Sequence, residues 1–215
     1  MTAVGLPTLP NRLTLPALQE YVRRMVEARG FIKNPNKLFI LLVEEVGELA
    51  TEFKHRTYYP ERFDARNLSH ELIDILLYLL DLANGFSVEL AGLWPEHERR
   101  NDARFEATGG AGLEPVRFDA GFSLNQLCAH VEQKRKERGF EDRDEMLALL
   151  LSEEVGEIAR ELRKSWKGLG DSRELGMEII DALTYVLRLG CCFSVDMEAA
   201  LKEKEGLNAE RDWSY

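Results

Sequence analysis

The stretch LFILLVEEVGELA, residues 38–50, places three glutamates inside an almost unbroken apolar run. A second stretch, ELIDILLYLL at 71–80, places a glutamate and an aspartate one helical turn apart in another apolar run. Neither run shows the strict alternation that is typical of a half-buried strand. At 3.6 residues per turn, Glu44, Glu45 and Glu48 share an arc of about 100° on one helix. We therefore predict two helices that are apolar and buried on most faces and that bring their carboxylates together.

The same pattern occurs again about 109 residues further along the chain. The pentapeptide EEVGE at 44–48 is repeated at 153–157, and ELID at 71–74 corresponds to EIID at 178–181. Self-similarity of this kind, which extends through most of both halves, is typical of two copies of one structural unit. Glycines cluster where the copies join, as they do in linkers. The predicted division of the chain is a first unit at 1–107, a linker at 108–118 and a second unit at 119–215.

Each unit is predicted to contain four helices, because the sequence has no alternating apolar runs between hairpin turns. In the first unit the predicted helices are Leu15–Ala28, Asn36–Arg56, Ser69–Asn84 and Val88–Phe105. In the second unit they are Leu124–Arg138, Asp144–Lys164, Arg173–Cys192 and Val195–Arg211. The predicted fold class is all-α, a tandem duplication of four-helix units packed together as one helical bundle.

Residues at the ends of these segments support the assignment. Ser123 begins a capping-box pattern, and Ser87 and Ser194 are predicted to cap the fourth helices of the two units. Gly30 and Gly139 are predicted to end the first helices, because glycine readily adopts the left-handed conformation found there.

Two further glycines, Gly47 and Gly156, lie between the motif glutamates in the middle of a predicted helix. A glycine in that position costs roughly 1 kcal/mol of helix stability relative to alanine. Since both copies have it, we predict that another helix approaches closely beside the acidic residues.

Composition excludes several classes of function. With 215 residues, 45% of them hydrophobic, the chain can form a folded core. Its 28 basic and 38 acidic residues give a net charge of −10, which disfavours binding to nucleic acid. The most apolar segment, 72–83, is too short to span a membrane. The three cysteines form no metal-binding or disulfide pattern and the first residues do not resemble a signal peptide, so we predict a cytoplasmic protein.

Crowded carboxylates in a low-dielectric core repel one another, and each would cost several kcal/mol or take up a proton. Few basic residues lie nearby on these two helices. Carboxylate oxygens are ligands that Mg²⁺ and Mn²⁺ prefer, and both ions leave positions open for water and phosphate. A single EExxE would ordinarily be a solvated stripe of a surface helix, but its repetition in an apolar setting argues against that explanation.

The spacing of the acidic motifs resembles that of a known family. EExxE followed by ExxD, with 22 intervening residues in the first copy and 20 in the second, is similar to the motif of the all-alpha nucleotide pyrophosphohydrolases of the MazG type. Relatives of that family include the dimeric dUTP pyrophosphatases and phosphoribosyl-ATP pyrophosphohydrolase. The family's tyrosine, four residues after the motif aspartate, and its Lys-xxx-Asn-xx-Arg tail also have counterparts in both copies, although the first copy has histidine in place of the lysine.

The resemblance implies hydrolysis of ribo- or deoxynucleoside triphosphates to monophosphate and pyrophosphate, dependent on Mg²⁺ or Mn²⁺, in the control of the nucleotide pool. The implied metal ligands are Glu45, Glu48, Glu71 and Asp74 in the first copy and Glu154, Glu157, Glu178 and Asp181 in the second. Glu44 and Glu153 are the implied general bases or extra ligands. The implied substrate-binding residues are Tyr78, His97, Asn101, Arg104, Tyr185, Lys204, Asn208 and Arg211. The implied partners are the substrate and the other copy, in an intramolecular pseudo-dimer that could pair again as a homodimer.

The replacement of the family's lysine by His97 predicts two unequal sites, because histidine is largely neutral at pH 7 whereas Lys204 is charged. Loss of one charged hydrogen-bond donor to the phosphates would weaken substrate binding by roughly 1.5–3 kcal/mol. The tail helix of one copy could reach the acids of the other, so the sequence leaves open which acidic set lacks the lysine.

Two other interpretations of the acidic residues remain. A ferritin-like diiron protein also holds carboxylates inside a helical bundle, but it needs Glu-x-x-His on two helices. The chain has one such pair near the motifs, Glu52 with His55, and the second copy has lysine at the corresponding place. A non-catalytic helical scaffold or regulator that has kept the motif is the other alternative.

Overall fold

The computed structural model describes residues 6–31, 33–107, 117–140 and 143–211. Within these ranges the first repeat forms α1 (Leu15–Arg29), α2 (Pro35–Tyr58), α3 (Ala65–Gly85) and α4 (Leu90–Ala107). The second repeat forms α5 (Leu124–Glu137), α6 (Asp144–Trp166), α7 (Ser172–Cys192) and α8 (Met197–Glu210). A short 3₁₀ helix, Pro60–Arg62, lies between α2 and α3. The described part of the chain has no strand, only an isolated bridge between Thr14 and Ser123. The all-α prediction is confirmed, while most of the predicted linker lies outside the described residues.

Helix α3 begins at Ala65 and not at the predicted Ser69. The reason is Asp64, whose carboxylate accepts hydrogen bonds from the backbone N–H groups of Arg66 (2.8 Å) and Asn67 (3.3 Å). An aspartate in this position satisfies backbone donors that have no partner within the helix. The added turn lengthens the buried helix that carries the first ExxD motif.

The two predicted serine caps are wrong. Ser87 and Ser194 have φ angles of 56° and 55°, so both lie in left-handed turns before the fourth helices and not at their first turns. The carboxylate of Asp196 caps α8. The prediction for Gly30 and Gly139 is confirmed, since they end the first helices with φ angles of 67° and 65°.

Helices α3 and α7 form the centre of the bundle and pack against each other. The first repeat's α1 and α2 cover α3, the second repeat's α5 and α6 cover α7, and α2 also contacts α6. The fourth helices cross between the repeats, because α8 packs on α3 and α4 packs on α7. One hydrophobic core consequently runs through both repeats.

The prediction that the EExxE helices are buried on most faces is wrong for α2 and α6. Ile40 is 66% exposed and Leu149 is 65% exposed, and Val43 and Met146 are also exposed. These helices form the outer layer, so only the faces toward α3, α7 and each other are covered. The central α3 and α7 are buried over most of their length, as predicted.

No described helix is by itself both long and apolar enough to cross a membrane. Helices α3 and α4 reach the required length and composition only when taken together, and they are bent by 102° at the break between them.

The predicted close approach at Gly47 and Gly156 is also wrong. Both glycines are exposed, and a Cβ atom added to either would have no neighbour within 4 Å. The close approach occurs instead at Gly176 in α7, where an added Cβ would lie 2.6 Å from Leu93 and 2.7 Å from Val88. Because Gly176 has no side chain, Val88 and Leu93 of the first repeat can pack against α7, the central helix of the second repeat.

These three glycines give opposite expectations for alanine substitution. Gly47→Ala and Gly156→Ala should each raise the free energy of unfolding by up to about 1 kcal/mol, because alanine restricts the unfolded chain and favours the helix. Gly176→Ala should lower it by about 1–3 kcal/mol, because the new methyl group overlaps packed side chains. Denaturant unfolding followed by circular dichroism measures all three. A loss of stability in the first two variants would contradict the open surroundings described above.

Candidate functional site

Two groups of carboxylates lie at equivalent places in the two repeats. The first acidic cluster consists of Glu45 from α2 with Glu71 and Asp74 from α3. The second acidic cluster consists of Glu154 from α6 with Glu178 and Asp181 from α7. In each cluster the three residues offer carboxylate oxygens that lie within 4.8 Å of one another.

Local helix geometry and packing together produce these clusters. Glu71 and Asp74 are three residues apart, so they share one face of α3. Helix α2 packs along α3 and brings Glu45 to the same point. Glu71 is only 4% exposed, and Glu45 and Asp74 are partly buried. The carboxylates are therefore held together where water solvates them poorly.

Burial and mutual repulsion make these groups hard to ionise. Burial raises the pKa of Glu45 to about 8, and the charges of Asp74 and Glu71 raise it as well. Burial and the neighbouring acids likewise raise the pKa of Glu71 to about 7. In the second acidic cluster, burial followed by the charge of Asp181 raises the pKa of Glu154 to about 8. Strongly raised carboxyl pKa values in a cluster indicate a site that is short of positive charge.

The partial compensation comes from the fourth helix of the opposite repeat. Lys204 on α8 forms an ion pair with Asp74. His97 Nε2 on α4 lies 2.6 Å from Asp181 Oδ1, and Asn101 Nδ2 lies 3.5 Å from the same oxygen. The first acidic cluster thus has the lysine and the second has the histidine, which answers the question that the sequence left open.

The fourth glutamate of each implied ligand set lies beside its cluster. Glu48 is exposed, but its charge helps to raise the pKa of both Glu45 and Glu71. Glu157 is ion-paired with Arg160, whose guanidinium also lies 3.4 Å from Glu178. The structure therefore brings three of the four implied ligands of each set into one group and leaves the fourth at its edge.

Glu44 and Glu153, the implied bases, are exposed on the outer face of α2 and α6. Glu153 is close enough for its charge to raise the pKa of Glu154 and of Tyr185. Both glutamates are open to water, and Glu153 lies at the edge of the second acidic cluster.

The remaining implied substrate-binding residues are less uniformly placed. Tyr78 and Tyr185 are partly buried one turn beyond the motif aspartates, and the Arg188 guanidinium lies 5.1 Å from the centre of the Tyr185 ring. Asn208 is buried and donates a hydrogen bond to Glu205 (3.0 Å). The two tail arginines, Arg104 and Arg211, are exposed.

Sequence reasoning missed Arg160, which approaches the second acidic cluster, and a group of basic residues that line a cavity beside α7. Arg160 stands one turn after Glu157, a spacing that could have been read from the sequence. Arg188 stands two turns beyond Asp181 on α7, and it lines a cavity together with Lys134 and Arg138 from or next to α5. Their proximity depends on how three helices pack, so no local signal indicates it.

No family model matches the chain. Searches of curated proteins and of solved structures also find no match. The functional argument therefore depends on the chemistry of the two clusters.

That chemistry fits a hard divalent cation. Within the described ranges, the groups able to hold a metal consist of carboxylates alone, a donor set that suits Mg²⁺ or Mn²⁺. Glu52, the glutamate of the possible diiron pair, instead accepts hydrogen bonds from the Asp64 backbone N–H (3.1 Å) and from Asn67 (3.0 Å). This arrangement speaks against a ferritin-like centre.

The raised pKa values predict how stability depends on pH in the absence of metal. Glu45 and Glu154 ordinarily titrate near pH 4.5 but have pKa values of about 8 in the folded protein. Between these values the folded protein holds protons that the unfolded chain has released, so its stability should fall as pH rises from about 5 to 8.5. Thermal unfolding in a chelating buffer measures this fall.

The matched control is the double variant Glu45→Gln with Glu154→Gln, which cannot ionise at these positions. Its melting temperature should fall by less than half as much over the same pH range. An unchanged slope would show that Glu45 and Glu154 do not hold protons in the folded protein that the unfolded chain has released.

Proposed function

We propose that the protein is a Mg²⁺-dependent nucleoside triphosphate pyrophosphohydrolase that releases a nucleoside monophosphate and pyrophosphate. The observation that carries this proposal is the pair of three-carboxylate clusters, built from the same residues at equivalent places in both repeats. Retaining one such cluster costs stability because the charges repel, and this chain has two. A function that needs convergent carboxylates accounts for that cost.

The proposed arrangement is a tandem pair of MazG-like units that form an intramolecular pseudo-dimer. The exchanged fourth helices support it, because each acidic cluster receives its positively charged or hydrogen-bonding partner from the other repeat. A single repeat would lack this partner. Both units are therefore needed to complete either site.

The clusters would hold the metal through Glu45, Glu71 and Asp74 in one site and through Glu154, Glu178 and Asp181 in the other. Bound Mg²⁺ supplies charge neutralisation for the phosphates and a more acidic water. Glu48 and Glu157, at the edges of the clusters, would complete the ligand sets. Glu44 and Glu153, which are exposed, would accept a proton from water.

The fourth-helix residues hold the motif aspartates and orient the substrate. Lys204 and His97 each contact the aspartate of a cluster, and a phosphate would compete for the same contact. Asn101 adds a neutral donor beside His97.

We expect purified protein to release pyrophosphate from at least one member of a panel of canonical and modified ribo- and deoxynucleoside triphosphates with Mg²⁺ or Mn²⁺. Phosphate detection after addition of inorganic pyrophosphatase measures the reaction. The double variant Glu45→Gln with Glu154→Gln should be inactive because both clusters lose a ligand. No cleavage by the unmodified protein with either metal would refute the proposed activity.

Single aspartate substitutions should separate the two metal sites. Asp74→Asn should abolish metal binding at the first acidic cluster, and Asp181→Asn at the second, while each leaves the other cluster intact. Calorimetric titration with Mn²⁺ should therefore find one fewer bound ion in each variant than in the unmodified protein. Circular dichroism serves as the control for folding, and two unaltered binding sites would show that the ligand assignment is wrong.

A further inference from the structure

Two cysteines from different helices of the second repeat are in contact. Cys128 lies in α5 and is buried, and Cys191 lies in the last turn of α7 and is partly exposed. The thiol of Cys191 donates a hydrogen bond to the backbone oxygen of Cys128 at 3.5 Å, and the two thiols also hydrogen-bond to each other. This cysteine pair therefore lies where α5 packs on the central helix of its repeat.

The first repeat has two amide side chains at the matching positions. The repeat alignment places Gln19 opposite Cys128, at an offset of 109 residues. It places Asn84 opposite Cys191, at the offset of 107 residues that applies after the second motif. Gln19 Nε2 donates to Asn84 Oδ1 at 3.2 Å, and Asn84 Nδ2 donates to the Gln19 backbone oxygen at 2.8 Å. The same place in both repeats thus carries a polar contact that joins the first helix to the central helix.

The two contacts differ in strength while the cysteines are reduced. Amide groups form ordinary hydrogen bonds, whereas a thiol is a weak donor and a weak acceptor. A single buried cysteine commonly serves only as a small apolar side chain. Two thiols in contact are different, because they can form a covalent bond after a small movement of the side chains. At this place α5 is consequently held to α7 more weakly than α1 is held to α3, and oxidation can reverse that order.

The surroundings of the cysteine pair make Cys191 the more reactive thiol. The hydrogen bond from the Cys128 thiol lowers the pKa of Cys191 below its ordinary value, and this effect outweighs that of burial. The charges of Lys136 and Arg135 lower it further. The same hydrogen bond, together with burial, raises the pKa of Cys128. Oxidants react with the thiolate and at partly exposed cysteines, and Cys191 meets both conditions.

We propose that the cysteine pair is a peroxide-sensitive dithiol, which closes to a disulfide and ties α5 covalently to α7. The Cys191 thiolate attacks one oxygen of hydrogen peroxide, the oxygen–oxygen bond breaks, and hydroxide leaves and takes up the proton that Cys191 released. Cys191 is then a sulfenic acid. The Cys128 thiol loses its proton and attacks the Cys191 sulfur, and the sulfenic hydroxyl leaves with that proton as water. Two thiols and one peroxide give one disulfide and two waters.

This inference does not depend on the proposed hydrolase. Asp181 lies ten residues before Cys191 on α7, about 15 Å along the helix axis. The disulfide would therefore restrain the helix that carries part of the second acidic cluster without involving its carboxylates. A thiol reductant would reopen the bond by exchange, so the tie is reversible.

Peptide mapping after oxidation tests the pair directly. The full chain is reduced, freed of reductant and treated with hydrogen peroxide, and the remaining thiols are alkylated before digestion and mass spectrometry. One linkage should form, between Cys128 and Cys191 of the same chain, while exposed Cys192 remains open to alkylation. Dithiothreitol should remove the linkage. A linkage that uses Cys192, a linkage between chains, or no linkage would overturn the inference.

Melting temperatures test whether the disulfide ties the two helices. Oxidation should raise the melting temperature by about 5 °C or more, because the bond closes a long loop and restricts the unfolded chain. Cys192→Ser is the matched control, since it leaves the pair intact and should show the same rise. A disulfide that leaves the melting temperature unchanged would contradict a covalent tie that stabilises the bundle.

A double variant removes the thiols while keeping a contact at this place. Cys128→Gln with Cys191→Asn gives the second repeat the amide pair that already joins α1 to α3. Circular dichroism should show a folded protein, and peroxide should change neither its peptide map nor its melting temperature. A rise equal to that of the unmodified protein would assign the effect of peroxide to other residues and overturn the inference.

Discussion

The repulsion among three partly buried carboxylates is the constraint on which the rest of this structure depends. Neither repeat supplies a cation of its own fourth helix to its own cluster. Lys204 reaches Asp74 and His97 reaches Asp181 only because α8 and α4 cross to the opposite repeat. The same crossing helices extend the hydrophobic core through both repeats. They therefore moderate the repulsion among the carboxylates and bury apolar surface at the same time. Tandem linkage keeps the two partners at a high effective concentration.

Duplication within one chain allows the two sites to diverge, which identical subunits of a homodimer could not do. The acidic residues have been kept in both copies, while their surroundings have changed. Arg160 interacts with Glu178 in the second cluster, where the first repeat has Thr51 at the matching position. Arg188 corresponds to Asp81 in the same way. Such a pattern keeps the acidic clusters constant and varies the residues that lie next to them.

Much of the fold could be predicted because helix formation depends on local patterns. Seven helices start within two residues of their predicted positions, and Asp64 explains the earlier start of α3. The errors have a common cause. Apolar residues in α2 and α6, such as Ile40 and Leu149, indicated burial, but a helix in the outer layer has only part of its surface covered. Gly47 and Gly156 likewise suggested a neighbouring helix, and packing placed that contact at Gly176.

The sequence by itself determined the two repeats, the eight helices and the shared helix face of the acids within each motif, because residues three or four apart on a helix share a face whatever surrounds them. The tertiary structure alone decided which fourth helix meets which cluster and which acids come within reach of one another. It also gathered Lys134, Arg138 and Arg188 around one cavity. Those arrangements join residues on different helices and in different repeats, so they depend on how the helices cross and not on any spacing along the chain.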